Sequence, residues 1–131
     1  CYNGIVSYEN AIQIMKESDI LVHVENFSNF YREDLKYAFS TKIADSLAIG
    51  KCFLLYAPKE FACSKYVFDN KVGYLVSDQC LLYPTLKMLI ASSEKRMKYT
   101  ESALKIVKKN HNSEKNAKTI YNIINSVVAG N

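Results

Sequence analysis

Three short apolar runs alternate along this chain with segments whose apolar residues recur at helical spacing. They are Ile20-Leu21-Val22-His23-Val24, Cys52-Phe53-Leu54-Leu55-Tyr56 and Val72-Gly73-Tyr74-Leu75-Val76. A run that is apolar at consecutive positions suits a strand buried on both faces, as in a parallel sheet covered by helices. Strands that alternate with helices build βαβ units. The spacing predicts helices over Ser7–Lys16, within Phe39–Lys51, over Glu60–Phe68, after Ser77-Asp78, over Ser93–Lys109 and over Ser113–Val128. The expected order is helix, strand, helix, strand, helix, strand and three closing helices. At 131 residues, 1–131 form one domain with room for a core. The fold class is α/β, a Rossmann-like parallel sheet with flanking helices. Cys1-Tyr2-Asn3 reads as the tail of a fourth strand, and a start at Cys1 rather than Met suggests a piece of a longer chain. Three parallel strands make a thin sheet. The apolar edges left over call for further strands upstream or for pairing with another copy.

The segment from Phe39 to Lys51 carries the most local information. Ser40 or Thr41 can cap a helix, because a hydroxyl oxygen accepts from an unpaired first-turn N–H. Ile43, Leu47 and Ala48 then share one face, and Gly50 supplies the left-handed stop. A helix N-terminus reached from a loop favours an anion, through its free N–H groups and its dipole. Lys42 adds a positive charge there, and Asp45 stands one turn further along. The same residues equally suit an ordinary surface helix, with Lys42 solvated and Asp45 paired to a nearby lysine.

Other segments are read more briefly. Ser7 caps the first helix, which follows Gly4 in a strand-to-helix turn, and Ser18-Asp19 ends it. His23 reads as a histidine satisfied near the sheet. Glu25 to Ala38 is expected to be a long aromatic loop, in which Phe27, Phe30 and Tyr31 cover a ligand or pack the loop down. Helix 60–68 offers Phe61, Ala62, Tyr66 and Val67 for burial, and Asp69-Asn70-Lys71 reads as a turn. Gly73 permits close backbone approach. The helix after Asp78 carries Leu82, Leu86, Leu89 and Ile90, with Pro84 in its first turn. Helix 93–109 is expected to bury Met97, Leu104 and Val107. Helix 113–128 is expected to bury Ala117, Ile120, Tyr121, Ile124 and Val127.

Composition excludes several classes. Nearly half the residues are apolar and Gly and Pro are few, so the chain is not a disordered one. No apolar run is long enough for a membrane span, and no signal peptide is visible. The cysteines Cys1, Cys52, Cys63 and Cys80 form no C-x-x-C pair, and His23 and His111 stand apart, so no zinc spacing is present. Free thiols suit a reducing cytoplasm. The net charge of +4 is uneven: Glu94 to Lys118 holds eight Lys or Arg against three Glu, which is +5, leaving −1 elsewhere. Such a run is ordinarily a solvated helical face, but it also suits an anionic membrane surface. No nucleic-acid motif accompanies it.

Taken together, Gly4-Ile5-Val6-Ser7, Ser18-Asp19-Ile20-Leu21-Val22-His23-Val24-Glu25, the whole of 39–51 and Gly73-Tyr74-Leu75-Val76 follow a known order. They resemble the C-terminal, donor-binding domain of retaining GT-B glycosyltransferases of the glycogen-synthase-like class. The resemblance spans nearly the whole chain, and 39–51 is its most specific part. It implies a sugar transferase that takes a nucleotide-diphosphate sugar, with retention, in polysaccharide or glycoconjugate synthesis, with no cofactor or metal. In that class the donor lies between two Rossmann-like domains, of which this chain would be the truncated second. Ser40, Thr41 and Lys42 would lie at the diphosphate, Asp45 at the ribose hydroxyls, and Tyr2 to Val6, with Gly4 and Val6, beside the base. Glu25, at the end of its strand, is counted with these donor-binding residues. Three positions depart from the family pattern. Asp45 stands where Glu is usual, and the second acidic position of its E-x7-E motif falls on Tyr37, leaving Glu33 or Asp34 as substitutes. Cys52 replaces the usual proline. The basic phosphate clamp and the acceptor domain would lie upstream, so this chain alone should not catalyse transfer. A membrane-associated acceptor would suit the basic 94–118 region and a place at the inner membrane face.

Two other classes compete. A receiver-like regulatory module needs an acidic cluster and an acceptor Asp at strand ends, where this chain has Glu25 and Ala57. A protein-interaction module would use the aromatic 25–38 loop.

Overall fold

The computed structural model describes residues 4–129. The expectation of a strand tail at Cys1-Tyr2-Asn3, and Tyr2 at the base-side turn, lie outside the described residues. Among the described residues the chain is an α/β protein built on three parallel strands, β1 (Ile20–Val24), β2 (Cys52–Tyr56) and β3 (Tyr74–Val76), in the order β1-β2-β3. Ile20 pairs with Cys52 through to Val24 with Tyr56, and Leu54 with Tyr74 through to Tyr56 with Val76. The helices are α1 (Tyr8–Glu17), α2 (Arg32–Leu35), α3 (Thr41–Ile49), α4 (Ala62–Asn70), α5 (Gln79–Ala91), α6 (Ser93–Met97), α7 (Thr100–Asn110) and α8 (Ser113–Ala129).

Side chains alternate across the strands and divide the core in two. Leu21, Phe53 and Leu55 pack against Ile43 and Leu47 of α3, Cys63 and Val67 of α4 and Ala103 of α7, with Phe61 just ahead of α4. Cys52, Leu54 and Val76 face the other way, where Leu89 seals them and Leu82 and Leu86 of α5 pack alongside. That second face is covered at β2 and β3 but open at β1, where Val22 and Val24 are 52% and 60% exposed.

Local chemistry sets most element ends. Ser7 accepts from the Asn10 N–H at 3.3 Å and caps α1. Gly50 ends α3 at φ 73°. Asp78 accepts from the Cys80 N–H at 2.8 Å and caps α5.

Several expectations are corrected. The 25–38 segment is not all loop: a 3-10 turn at Asn29–Tyr31 leads into α2. Asn26 Oδ1 accepts from the Ser28 N–H at 2.7 Å and Ser28 Oγ from the Phe30 N–H at 3.3 Å, which starts the turn. Helix α4 runs two residues later than expected, because the Phe61 N–H and the buried Ser64 hydroxyl both donate to the Pro58 carbonyl and hold that stretch as a turn. Asp69 and Asn70 are helical, and Lys71 alone is left-handed, at φ 53°. Strand β3 begins at Tyr74, because the Val72 N–H donates back to Val67 as the helix closes. Pro84 lies in the second turn of α5 and not the first, on an exposed side, and Ile90 points to solvent.

The expected helix 93–109 is two helices. Tyr74 Oη donates to the Lys95 carbonyl at 2.8 Å, and its ring meets Tyr99 edge-on at 4.9 Å, so the chain turns at Lys98-Tyr99. The turn leaves Met97 exposed and buries Ala103 in place of Leu104, which is partly exposed; Val107 is half-buried. In α3, Ala48 faces solvent, so the buried face there is Ile43, Ser46 and Leu47. Helix α8 buries none of its expected residues: Ala117, Ile120, Tyr121, Ile124 and Val127 are all exposed.

Candidate functional site

Helix α3 leaves the carboxyl side of β1 and returns to the amino side of β2, so its N-terminus lies at the carboxyl edge of the sheet. That edge is where open parallel sheets hold ligands. Ser40 occupies the N-cap position in extended backbone (φ −68°, ψ 130°), but its hydroxyl makes no capping bond. The cap role expected for Ser40 is therefore positional only. Thr41 and Lys42 are exposed in the first turn. The Lys42 carbonyl accepts from the Ser46 hydroxyl at 2.7 Å.

Lys42 and Asp45 open into one cavity of about 440 Å³ between α1, α3 and the outer edge of β1. Its other walls include Tyr8, Ile12 and Met15 of α1, with Leu21 and His23 of β1. Lys42 and Asp45 are thus brought together, an ammonium and a carboxylate over an apolar floor. The remaining expected residues do not line this cavity. Glu25 lies beyond the strand end, its Oε1 2.9 Å from His23 Nε2, and its N–H donates to the Tyr56 carbonyl. That contact satisfies the strand histidine, as its position on the sheet suggested. Gly4 (φ 76°) and Val6 are exposed in the segment before α1. They stand apart from Lys42 and Asp45 in the cavity linings.

A second cleft of about 370 Å³ opens at the carboxyl ends of the strands. Phe27, Arg32, Pro58 to Glu60, Ser77 and Asp78 line it. Arg32 and Glu60 form an ion pair across it, and Phe27 packs its ring against Tyr56 at 4.5 Å. Of the three aromatics expected to cover a ligand, Phe27 is the one seated here. Phe30 and Tyr31 stack edge-on with each other, and Phe30 remains 82% exposed.

Sequence reasoning did not single out Tyr8, Arg32, Glu60 or Ser77. The usable signal was topological, since Pro58-Lys59-Glu60 and Ser77-Asp78 directly follow β2 and β3, as Glu25 follows β1. Tyr8 carried no such signal, because only the packing of α1 beside α3 brings it to Lys42.

Two buried thiols flank the sheet, Cys63 beside Glu25 and Cys52 at the amino end of β2. Burial pushes the Cys63 thiol up, and the Glu25 carboxylate adds to the shift. Burial likewise raises Cys52, against an opposing pull from Arg96. Both are therefore poor nucleophiles. Among the described residues, no three His, Cys, Asp or Glu side chains converge as a metal site would.

The fold is that of a parallel α/β protein, with one polar cleft at the carboxyl ends of its strands and another between α1 and α3. Compared with known proteins, the chain matches no family model, no curated protein and no solved structure.

Proposed function

We propose that this chain is the nucleotide-sugar-binding part of a retaining glycosyltransferase, one that builds a polysaccharide or glycoconjugate. The observation that carries this reading is the start of α3. An N-terminus whose Ser40 makes no capping bond lies at the carboxyl edge of parallel strands, with Lys42 in its first turn and Asp45 one turn on. First-turn N–H groups left by the cap suit a diphosphate, and the helix dipole adds to the attraction. The Lys42 ammonium neutralises further charge. A carboxylate at Asp45 accepts from two vicinal hydroxyls of a ribose. The ordered resemblance of segments 4–7, 18–25, 39–51 and 73–76 supports the same assignment. Glu25 and the Arg32–Glu60 pair then stand where the sugar would project from the strand ends. An acceptor-binding unit completes the enzyme in this reading.

Calorimetric titration with UDP and GDP tests it, comparing wild type with Lys42→Ala and Asp45→Ala. Each substitution is expected to weaken binding by about tenfold, the loss of one charge-assisted contact. Unchanged affinity in both variants would overturn the site.

A second reading has its own observation. Phe30 at 82% and Tyr37 at 77% exposure put two aromatic rings on the surface of the 25–38 segment, which suits a protein-docking loop. Phe30→Ser would abolish partner capture under that reading and leave nucleotide binding untouched.

A further inference from the structure

Helix α8 is amphipathic, and among the described residues its side chains from Ser113 to Val128 are all exposed. Ile120, Tyr121, Ile123, Ile124, Val127 and Val128 gather on one side of it, between 55% and 69% exposed. Its opposite side is polar: Lys115 and Lys118 lie there near the helix start, followed by uncharged Thr119, Asn122, Asn125 and Ser126. Ile, Val, Thr and Asn are weak helix formers, so a helix of this composition depends on a surface that takes up its apolar side. A contiguous exposed stripe of this kind marks an interaction site.

Charge indicates the occupant. Exposed Lys105, Lys108 and Lys109 of α7 precede the turn into α8, and Lys115 and Lys118 follow it. The 94–118 stretch carries +5, and residues 119–131 carry no charged side chain. The result is a cationic hinge region with an uncharged apolar stripe running from it. Pairing α8 in parallel with α8 of a second copy would bring two such basic regions together, and in either orientation no acidic residue past Glu114 would answer the lysines. An anionic lipid surface meets both features at once, with lysines at the headgroups and the stripe in the acyl boundary.

We infer that α7 and α8 form an anionic-membrane docking element, with α8 lying in the plane of the surface. Among the described residues no helix is long and apolar enough to cross a membrane, so the element rests on the bilayer. The inference stands independently of the nucleotide-sugar reading, since α8 contributes no residue to either cleft described above.

Co-flotation of the 131-residue chain with vesicles tests it. One set is phosphatidylcholine alone and the other contains phosphatidylglycerol as well. Binding is expected only to the anionic set, falling about tenfold or more on going to high salt as surface charge is screened. Ile124→Asp should abolish binding, and the milder Ile120→Ser should weaken it. Lys108→Glu with Lys109→Glu should reduce it about tenfold, because each cation near the surface contributes. All four positions are exposed, and an unchanged thermal melt of each variant confirms an intact body. Equal binding to both vesicle types, or binding indifferent to Ile124→Asp, overturns the inference. So does a concentration-dependent dimer in light scattering, lost in Ile124→Asp, with no vesicle binding; that result assigns α8 to a second copy. Nucleotide titration of the same samples keeps this outcome separate from that of the α3 site.

Discussion

Gly73 lies directly against the backbone of Phe53: a Cβ at position 73 would stand 2.8 Å from the Phe53 carbonyl oxygen and 2.9 Å from its ring. Phe53 is in the central strand and almost wholly buried, so neither group has room to withdraw. Gly73→Ala is therefore expected to lower the unfolding free energy by about 1–3 kcal/mol, the usual cost of overpacking a close contact. Urea denaturation followed by circular dichroism measures it. An unchanged midpoint would mean that β3 shifts freely against β2.

Leu89 is the fully buried residue of α5 that seals Cys52, Leu54 and Val76. Truncation to Ala leaves a cavity on the thinner side of the sheet, and the expected loss is about 2–5 kcal/mol. Ile90 in the same helix is 70% exposed. Ile90→Ala should fall within about 0.5 kcal/mol of wild type. A comparable loss at both positions would contradict the packing of α5.

Pro84 sits in the second turn of α5 and is exposed, where it removes one backbone hydrogen bond. Pro84→Ala restores the donor. The gain is expected to be about 1–3 kcal/mol, reduced somewhat by the greater freedom of the unfolded chain. A rise in the thermal midpoint tests this directly, and a fall would mean that the helix is shaped around the proline.

Cys52 and Cys63 give a pH-dependent signature. Burial is the main cause of both shifts, which hold the folded thiols above their ordinary value of 9.0. On raising the pH the unfolded chain releases these protons first, so stability declines as the pH passes about 9. Cys63→Ala should flatten part of that decline. At neutral pH, iodoacetamide should label exposed Cys80 in the native protein and reach Cys52 and Cys63 only on unfolding. Peptide mass spectrometry distinguishes the sites, and prompt labelling of Cys63 would show that α4 opens.

The Tyr66 hydroxyl lies 2.8 Å from His111 Nε2, and Phe39 meets Tyr66 edge-on at 5.0 Å. This cluster ties the end of α7 to α4 and to the chain entering α3. Tyr66→Phe is expected to cost about 1 kcal/mol, the net value of one hydrogen bond. A shift in nucleotide affinity without one in stability would instead couple the cluster to the α3 N-terminus.

Part of the candidate site could be read before any packing was known. Lys42 and Asp45 are spaced by one helical turn, and that spacing alone puts them on one side of α3. The cavity they share also needs Tyr8 and Met15, from a helix that meets α3 only in the folded chain. Ser40 illustrates the limit from the other direction. Its residue type predicts a cap, but whether the hydroxyl turns inward depends on neighbours that no spacing encodes.

The sequence by itself determined β1, β2, α1 and α3, because their ends depend on nearby residues: the Ser7 cap, the Gly50 stop and consecutive apolar positions. Tertiary structure decided where contacts come from far along the chain. Tyr74 breaks the helix expected over 93–109 by holding the Lys95 carbonyl and the Tyr99 ring, a link across 21 residues. It also decided which apolar stripes are covered. Val22, Val24 and the α8 stripe have the periodicity of core residues, and periodicity records that a surface is apolar without recording what lies opposite it. Burial is a property of two surfaces, and a one-dimensional pattern describes only the first.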